Sequence, residues 1–313
     1  MNHLECVTSK NNKWYWYLLV FFLSFVACNT IGAIPLLLVL LISIIKNGAG
    51  MSDMAAIAKM DFKTAGIDLN LAFACTLFTF AVMLIAAIVF IKLFHGRSWK
   101  EVINGTNRVR WSRFFFGFLV WGIISLLIFG INYLTEPEVF RLQFQPVQFF
   151  TLIVLAIIFI PLQATCEEFL CRGYLTQGIA SWTHSRWWAL IIPSVLFGLL
   201  HSTNPEIHEY GYFIMMAQYV FMGFMLGFMT IMDDGIELAM GVHTVHNLIG
   251  VTLVTYKGSA LQTYALFENT EVNPAQELLP LVISGIALLV ILAAKYRKQW
   301  SMVNGQWSMK NRN

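Results

Sequence analysis

Three short patterns of ionisable and amide side chains stand inside otherwise apolar sequence. Cys166-Glu167-Glu168-Phe169-Leu170-Cys171-Arg172 follows a nearly uncharged run from Val147 to Ala164, Phe197-Gly-Leu-Leu-His201 closes the next apolar run, and His243-Thr-Val-His246-Asn247 lies two runs later. An ionised group near a bilayer centre costs about 2.5 to 3.5 kcal/mol on insertion scales, so such groups are kept there only for a task. Carboxylate, imidazole and amide side chains in one layer suit proton transfer and the stabilisation of negative charge, both most effective where water is scarce.

Helical geometry sorts these groups. Adjacent residues lie about 100° apart around a helix axis and residues four apart about 40°. Glu168 and Arg172 can therefore pair along one face, which leaves Glu167 directed elsewhere and free to meet another helix. Phe197 and His201 share a face, as do His243 and Asn247, with His246 close by. Each pattern alone reads as packing. Together, within about eighty residues of apolar sequence, they are hard to assign to packing alone. With a rise of about 1.5 Å per residue and the fourth long helix ending near Gly178, Glu167 lies about 16 Å from that surface. His201 lies about 22 Å from Arg186, and His243 about 10 Å from Ile236. These depths place the groups in one layer, expected to open toward the cytoplasm.

The elements that carry them are membrane helices. The chain has 313 residues, of which 58% are hydrophobic and 12% charged, far more apolar than a soluble domain. It is read as an integral membrane protein in the lipid bilayer. The net charge of +3 is small and its basic residues sit between apolar runs, so they mark topology rather than a nucleic-acid surface. Five cysteines (Cys6, Cys28, Cys75, Cys166, Cys171) have neither disulfide-framework nor zinc-finger spacing and read as buried small hydrophobes.

The first apolar run, Trp14 to Ile45, would be about 48 Å long as one helix, against about 30 Å of hydrocarbon. Asn29, Thr30, Gly32 and Pro35 could fold it into a hairpin, and a single tilted or kinked helix is equally allowed. No Ala-x-Ala-like cleavage site follows it, so it is treated as a retained span. Further spans are expected at Leu69–Phe94, Phe114–Leu134, Val147–Gly178, Trp187–His201, Tyr210–Met232, Ile236–Tyr256 and Leu278–Ala294, giving an all-α bundle of about eight transmembrane helices.

Alternating sides put fifteen of the twenty Lys and Arg residues together, including Lys10, Lys13, the loop with Arg97, Lys100, Arg108, Arg110 and Arg113, and the C-terminal tail. That bias places both termini in the cytoplasm. Neither repeats nor soluble linkers are seen, so residues 1–313 are expected to form a single membrane domain with its motif-bearing core at about 147–256. Gly223-Phe-Met-Leu-Gly227 has small-xxx-small spacing, read as packing within the monomer ahead of a dimer interface.

Glu-Glu-x-x-x-Arg, then Phe-x-x-x-His, then His-x-x-x-Asn on successive membrane helices resembles the CAAX-protease and bacteriocin-processing (CPBP, or Abi) family of intramembrane endopeptidases. The resemblance covers about a third of the chain, and all three motifs are intact. It implies a site in which Glu167 is the general base that activates water, assisted by His201. His243 and Asn247 would stabilise the oxyanion, with Glu168, Arg172 and Phe197 as structural support. The family is often called metalloprotease, and zinc, if held, would use Glu167, His201 and His243. Because there is no His-Glu-x-x-His helix and Asn is an uncommon zinc ligand, a metal-independent glutamate mechanism is favoured. A thiol nucleophile at Cys166 or Cys171 lacks a base.

The expected substrate is a membrane-associated, lipidated or transmembrane peptide or protein, with roles in peptide processing, bacteriocin self-immunity or signalling. A Phe- and Met-rich chain suits a bacterial plasma membrane. Two rivals remain at this stage: a catalytically dispensable scaffold that binds a partner protein, and a proton-coupled transporter using the same Glu and His groups as a relay.

Overall fold

The computed structural model describes residues 3–7, 11–47, 56–57 and 60–296. Lys10 and the basic residues beyond Tyr296 that entered the charge pattern lie outside the described residues. In chain order the helices are α1 (Trp14–Ala27), α2 (Ile34–Asn47), α3 (Leu69–His95), α4 (Trp99–Asn104), α5 (Trp111–Thr135) and α6 (Pro146–Glu168). They are followed by α7 (Thr176–Thr183), α8 (Arg186–Leu200), α9 (Pro205–Tyr210), α10 (Tyr212–Asp233), α11 (Glu237–Thr252) and α12 (Pro274–Tyr296). The protein is a mostly helical, polytopic membrane fold.

Helices form in all eight expected places, but among the described residues six rather than eight have the length and apolarity of a full crossing: Trp14–Lys46, Leu69–His95, Trp111–Thr135, Pro146–Thr183, Tyr212–Asp233 and Pro274–Tyr296. α8 and α11 have 15 and 16 residues, about 22 to 24 Å against about 30 Å of hydrocarbon. α11 stops short of the expected Tyr256 because the chain becomes a strand at Val254. The helix through Glu167 runs on to Thr183 rather than Gly178, so Glu167 lies about 24 Å from that end, not about 16 Å.

The first run does not fold into a hairpin. α1 and α2 are joined through a π-helical turn at Cys28–Gly32, and the break signals are absorbed locally. Asn29 Nδ2 donates to Phe25 O at 2.9 Å and Thr30 Oγ1 to Val26 O at 2.7 Å, so both polar groups are satisfied within their own helix. A Cβ on Gly32 would lie 2.9 Å from Thr79 Cα, so this glycine serves close packing on α3 rather than a turn.

Where the sequence gives terminator residues, helices end on them. Asp68 caps α3 by accepting from Leu71 N at 3.0 Å, and Gly96 ends it in the left-handed region at φ 64°, each supplying partners or geometry that a helix end lacks. Ser98 and Glu101 form a reciprocal capping box on α4. Leu37, Leu41, Leu119, Ile123, Phe150, Val154, Ile286 and Val290 are all more than half exposed. Apolar faces of this extent belong against lipid.

The helices of the core come unusually close. A Cβ on Gly241 would lie 2.0 Å from Phe114 O and one on Gly117 2.7 Å from Leu238 O, so these glycines let α5 and α11 touch backbone to backbone. Gly223 does the same between α10 and α8, where an added Cβ would meet Ser194 O at 2.5 Å. The Gly223-xxx-Gly227 face is thus used within the chain. Met222, Met225, Leu226 and Met229 of the same run are buried against Trp121, Leu238 and Leu288.

The two ends of the bundle differ. At one, β1 (Phe140–Leu142) runs antiparallel to β3 (Phe267–Asn269), and β2 (Val254–Tyr256) runs parallel to β3. This small sheet, an addition to the expected all-helical fold, ties the α5–α6 connection to the α11–α12 connection. At the other end the basic loop is folded in. Arg110 Nη2 pairs with Glu237 Oε2 at 2.6 Å and Asp233 Oδ2 at 3.0 Å, and the Arg113 guanidinium lies 3.3 Å over the Tyr296 ring.

Candidate active site

Glu167 and Glu168 occupy the last turn of α6, where the backbone widens into a π-helix over Phe169–Leu175. Segments of this kind re-aim side chains and occur often at functional sites. Arg172 Nη1 donates to Glu168 Oε1 at 2.9 Å, with both side chains wholly buried. This is the i, i+4 pair expected from the sequence. The guanidinium is further held by Gly223 O at 3.3 Å and by the Phe197 ring at 4.0 Å.

Glu168 has a second partner that helix geometry on α6 alone did not reveal. His243 Nδ1 donates to the same Oε1 at 2.8 Å. This bond fixes the imidazole ring and leaves its Nε2 facing Glu167 Oε2 at 3.6 Å. His243 therefore stands between the two carboxylates. Its ring also meets Phe197 edge-on, with centroids 5.9 Å apart.

The remaining expected residues are reached indirectly. No described hydrogen bond joins Asn247 to Glu167 directly; its Nδ2 donates to Gln163 Oε1 at 2.8 Å, and Gln163 Nε2 donates to Glu167 Oε1 at 2.6 Å. His201 sits at the C-terminal end of α8, where its Nδ1 donates to Phe197 O at 2.7 Å, which leaves Nε2 as the unprotonated nitrogen of the neutral ring. No described hydrogen bond joins His201 to Glu167. Its ring stands 4.6 Å from that of Phe197 and stacks on Tyr219 at 4.4 Å. Tyr219 is in turn bonded to Glu206 and to Asn204. His246 points away and accepts from Trp121 Nε1 at 3.3 Å.

Gln163 is the contact that sequence reading missed, although its signal was present: a polar residue four positions before Glu167 in a run otherwise read as apolar. Tyr219 and the Gly223 carbonyl carried no comparable signal, since stacking on His201 and accepting from Arg172 depend on how α10 crosses its neighbours.

A zinc ion would require three donors converging on one point. Among the described residues no three His, Cys, Asp or Glu side chains do so. Glu167 and His243 face each other, but His243 Nδ1 is committed to Glu168 and His201 Nδ1 to Phe197 O. As arranged, the side chains do not fit a three-ligand metal site. Cys166 and Cys171 are buried free thiols.

The fold and cluster define a polytopic helical membrane protein with a Glu-His-Asn polar centre between its helices. Residues 146–249, the region that carries all three motifs, match the family described as "Type II CAAX prenyl endopeptidase Rce1-like". Over 299 residues the chain is 28% identical to "Uncharacterized protein YyaK" of Bacillus subtilis (strain 168), covering 93% of this chain and 97% of that protein. No solved structure matches the chain.

Proposed function

We propose that this protein is an intramembrane endopeptidase that hydrolyses a peptide bond in a lipidated, transmembrane or otherwise membrane-associated substrate. The observation that carries the proposal is the buried Glu167 Oε2. It lacks any hydrogen-bond partner and stands 3.6 Å from His243 Nε2, beyond a direct hydrogen bond and at a spacing that a single water beside the pair would bridge. In the reaction, Glu167 takes a proton from that water as its oxygen adds to the substrate carbonyl. The oxyanion forms against His243 and Asn247, and Glu167 returns the proton to the leaving amine as the C–N bond breaks. Glu168, accepting from Nδ1, holds the His243 ring with Nε2 turned to the reacting centre. His201, packed on the Phe197 ring, assists Glu167. No metal takes part in this scheme.

The charge pattern supports an orientation with both termini in the cytoplasm, and the YyaK relative supports a bacterial plasma membrane. Peptide processing, bacteriocin self-immunity and signalling are the roles the family resemblance suggests.

The test uses full-length protein in liposomes with two quenched peptides, one ending in a prenylated Cys-aliphatic-aliphatic-X sequence and one an unmodified transmembrane segment. Glu167→Gln is expected to lower kcat by about 10²-fold or more while the protein remains folded, and chelator treatment of the wild type to leave cleavage unchanged. Retained cleavage in the variant would remove Glu167 as the base; loss on chelation would reinstate a metal.

A further inference from the structure

Gln163 is wholly inside the bundle, 6% exposed, and both ends of its amide are used: Nε2 donates to Glu167 Oε1 at 2.6 Å, and Oε1 accepts from Asn247 Nδ2 at 2.8 Å. The polarity of this chain admits one arrangement. An ionised carboxylate can only accept, so the Gln163 amide must turn its NH2 toward Glu167. Its carbonyl then faces Asn247, and Asn247 must answer with its own NH2. One N–H of that group is spent on Gln163, while the second stays available as a donor and the Asn247 carbonyl is kept off that face. On the other side, Gln163 occupies Oε1 of Glu167 and so leaves Oε2, the buried oxygen without a hydrogen-bond partner, as the one turned to His243 Nε2.

We infer that Gln163 is a positioning residue that sets two groups at once: which oxygen of Glu167 acts as base, and which face of Asn247 donates to the oxyanion. This rests on the endopeptidase reading above. It assigns to α6 a task beyond carrying the glutamates, because residue 163 lies one turn before Glu167 and bridges α6 to α11 at the reacting centre. Gln163 touches no other group of the cluster by hydrogen bond among the described residues, so its influence passes through these two neighbours.

The experiment compares wild type, Q163L, N247A, the double variant Q163L/N247A and E167Q in liposomes with the same two quenched peptides, reading kcat and KM separately. Q163M serves as a second apolar replacement of similar length should Q163L fold poorly, with thermal unfolding as the check. Q163L or Q163M is expected to lower kcat about ten- to hundredfold with KM little changed, less than the about 10²- to 10³-fold of deleting an oxyanion donor outright. The double variant is expected to be slower than N247A alone, but by a smaller factor than Q163L slows the wild type, because only the task on Glu167 is left to lose. An unchanged kcat in folded Q163L and Q163M, or losses that multiply in the double variant, would overturn the role of Gln163 while an inactive E167Q leaves the endopeptidase reading standing. Full activity in E167Q, or cleavage of neither peptide by the wild type, would overturn both.

Discussion

Glu168 illustrates how much one buried oxygen can carry. Its Oε1 accepts from Arg172 and from His243, so the residue expected to be structural support also fixes the ring that faces Glu167. Removing either partner of a buried pair strands the other charge, at about 3 to 5 kcal/mol. Arg172→Met is therefore expected to destabilise the protein by that amount in denaturant titrations of the solubilised chain. Glu168→Leu combined with Arg172→Met should recover much of the stability, because no lone charge remains, while the unanchored His243 keeps cleavage low. A double variant no more stable than Arg172→Met would show that the ion pair is not what the single change breaks.

Position at the element scale is set by glycines and by the π-helical widening after α6. α11 holds His243 in place only because Gly241 and Gly117 let it meet α5 at backbone distance. A methyl group at residue 241 has no room beside Phe114 O, and unlike a side chain that backbone cannot turn aside. Gly241→Ala is expected to cost about 1 to 3 kcal/mol of stability as an overpacked core does, and to lower kcat, since the displaced residue stands two positions before His243. Gly250→Ala, where an added Cβ meets nothing within 4 Å, provides the control on the same helix and should change neither quantity. Equal thermal midpoints for the two variants would contradict the packing assignment.

At the scale of the whole molecule, the N-terminal segment proves to be a strut under the motif helix. His3 and Leu4 are completely buried. His3 Nε2 donates to Arg172 O at 3.0 Å, and its Nδ1 accepts from Gln177 Nε2 at 3.1 Å. Burial pushes the His3 imidazole down from 6.5 to about 4. The sign follows from linkage: an undocked His3 binds its proton near pH 6.5, the docked one only near 4. Docking is therefore at full strength above about pH 6.5 and weakens as the pH falls toward 4. Hydrogen exchange of residues 3–7 should show protection lost over that window in the wild type, with a much shallower pH dependence in His3→Gln. Protection that persists unchanged down to about pH 4 would contradict a neutral, buried His3. The basic loop has a comparable second role, with Arg97 and Arg113 buried in the fold as well as contributing to the charge pattern.

Composition and spacing by themselves determined the membrane class, the places where helices form, the pairing of Glu168 with Arg172 and the family that the motif region resembles. Each of these rests on local rules: apolar run length, helical periodicity and residues four apart on one face. They left open the fate of the first run, because Asn29 and Thr30 break a helix or bond back to it with equal ease until α3 is packed against Gly32. They gave no hint that α11 is cut short by a strand pairing with residues a turn and a loop away. Only tertiary structure could place His243 between two glutamates, set His201 against the rings of Phe197 and Tyr219 and route Asn247 through Gln163. Those relations depend on how closely separate helices approach and at what rotation, which glycine-sized gaps between α5, α8, α10 and α11 decide and which no single helix encodes.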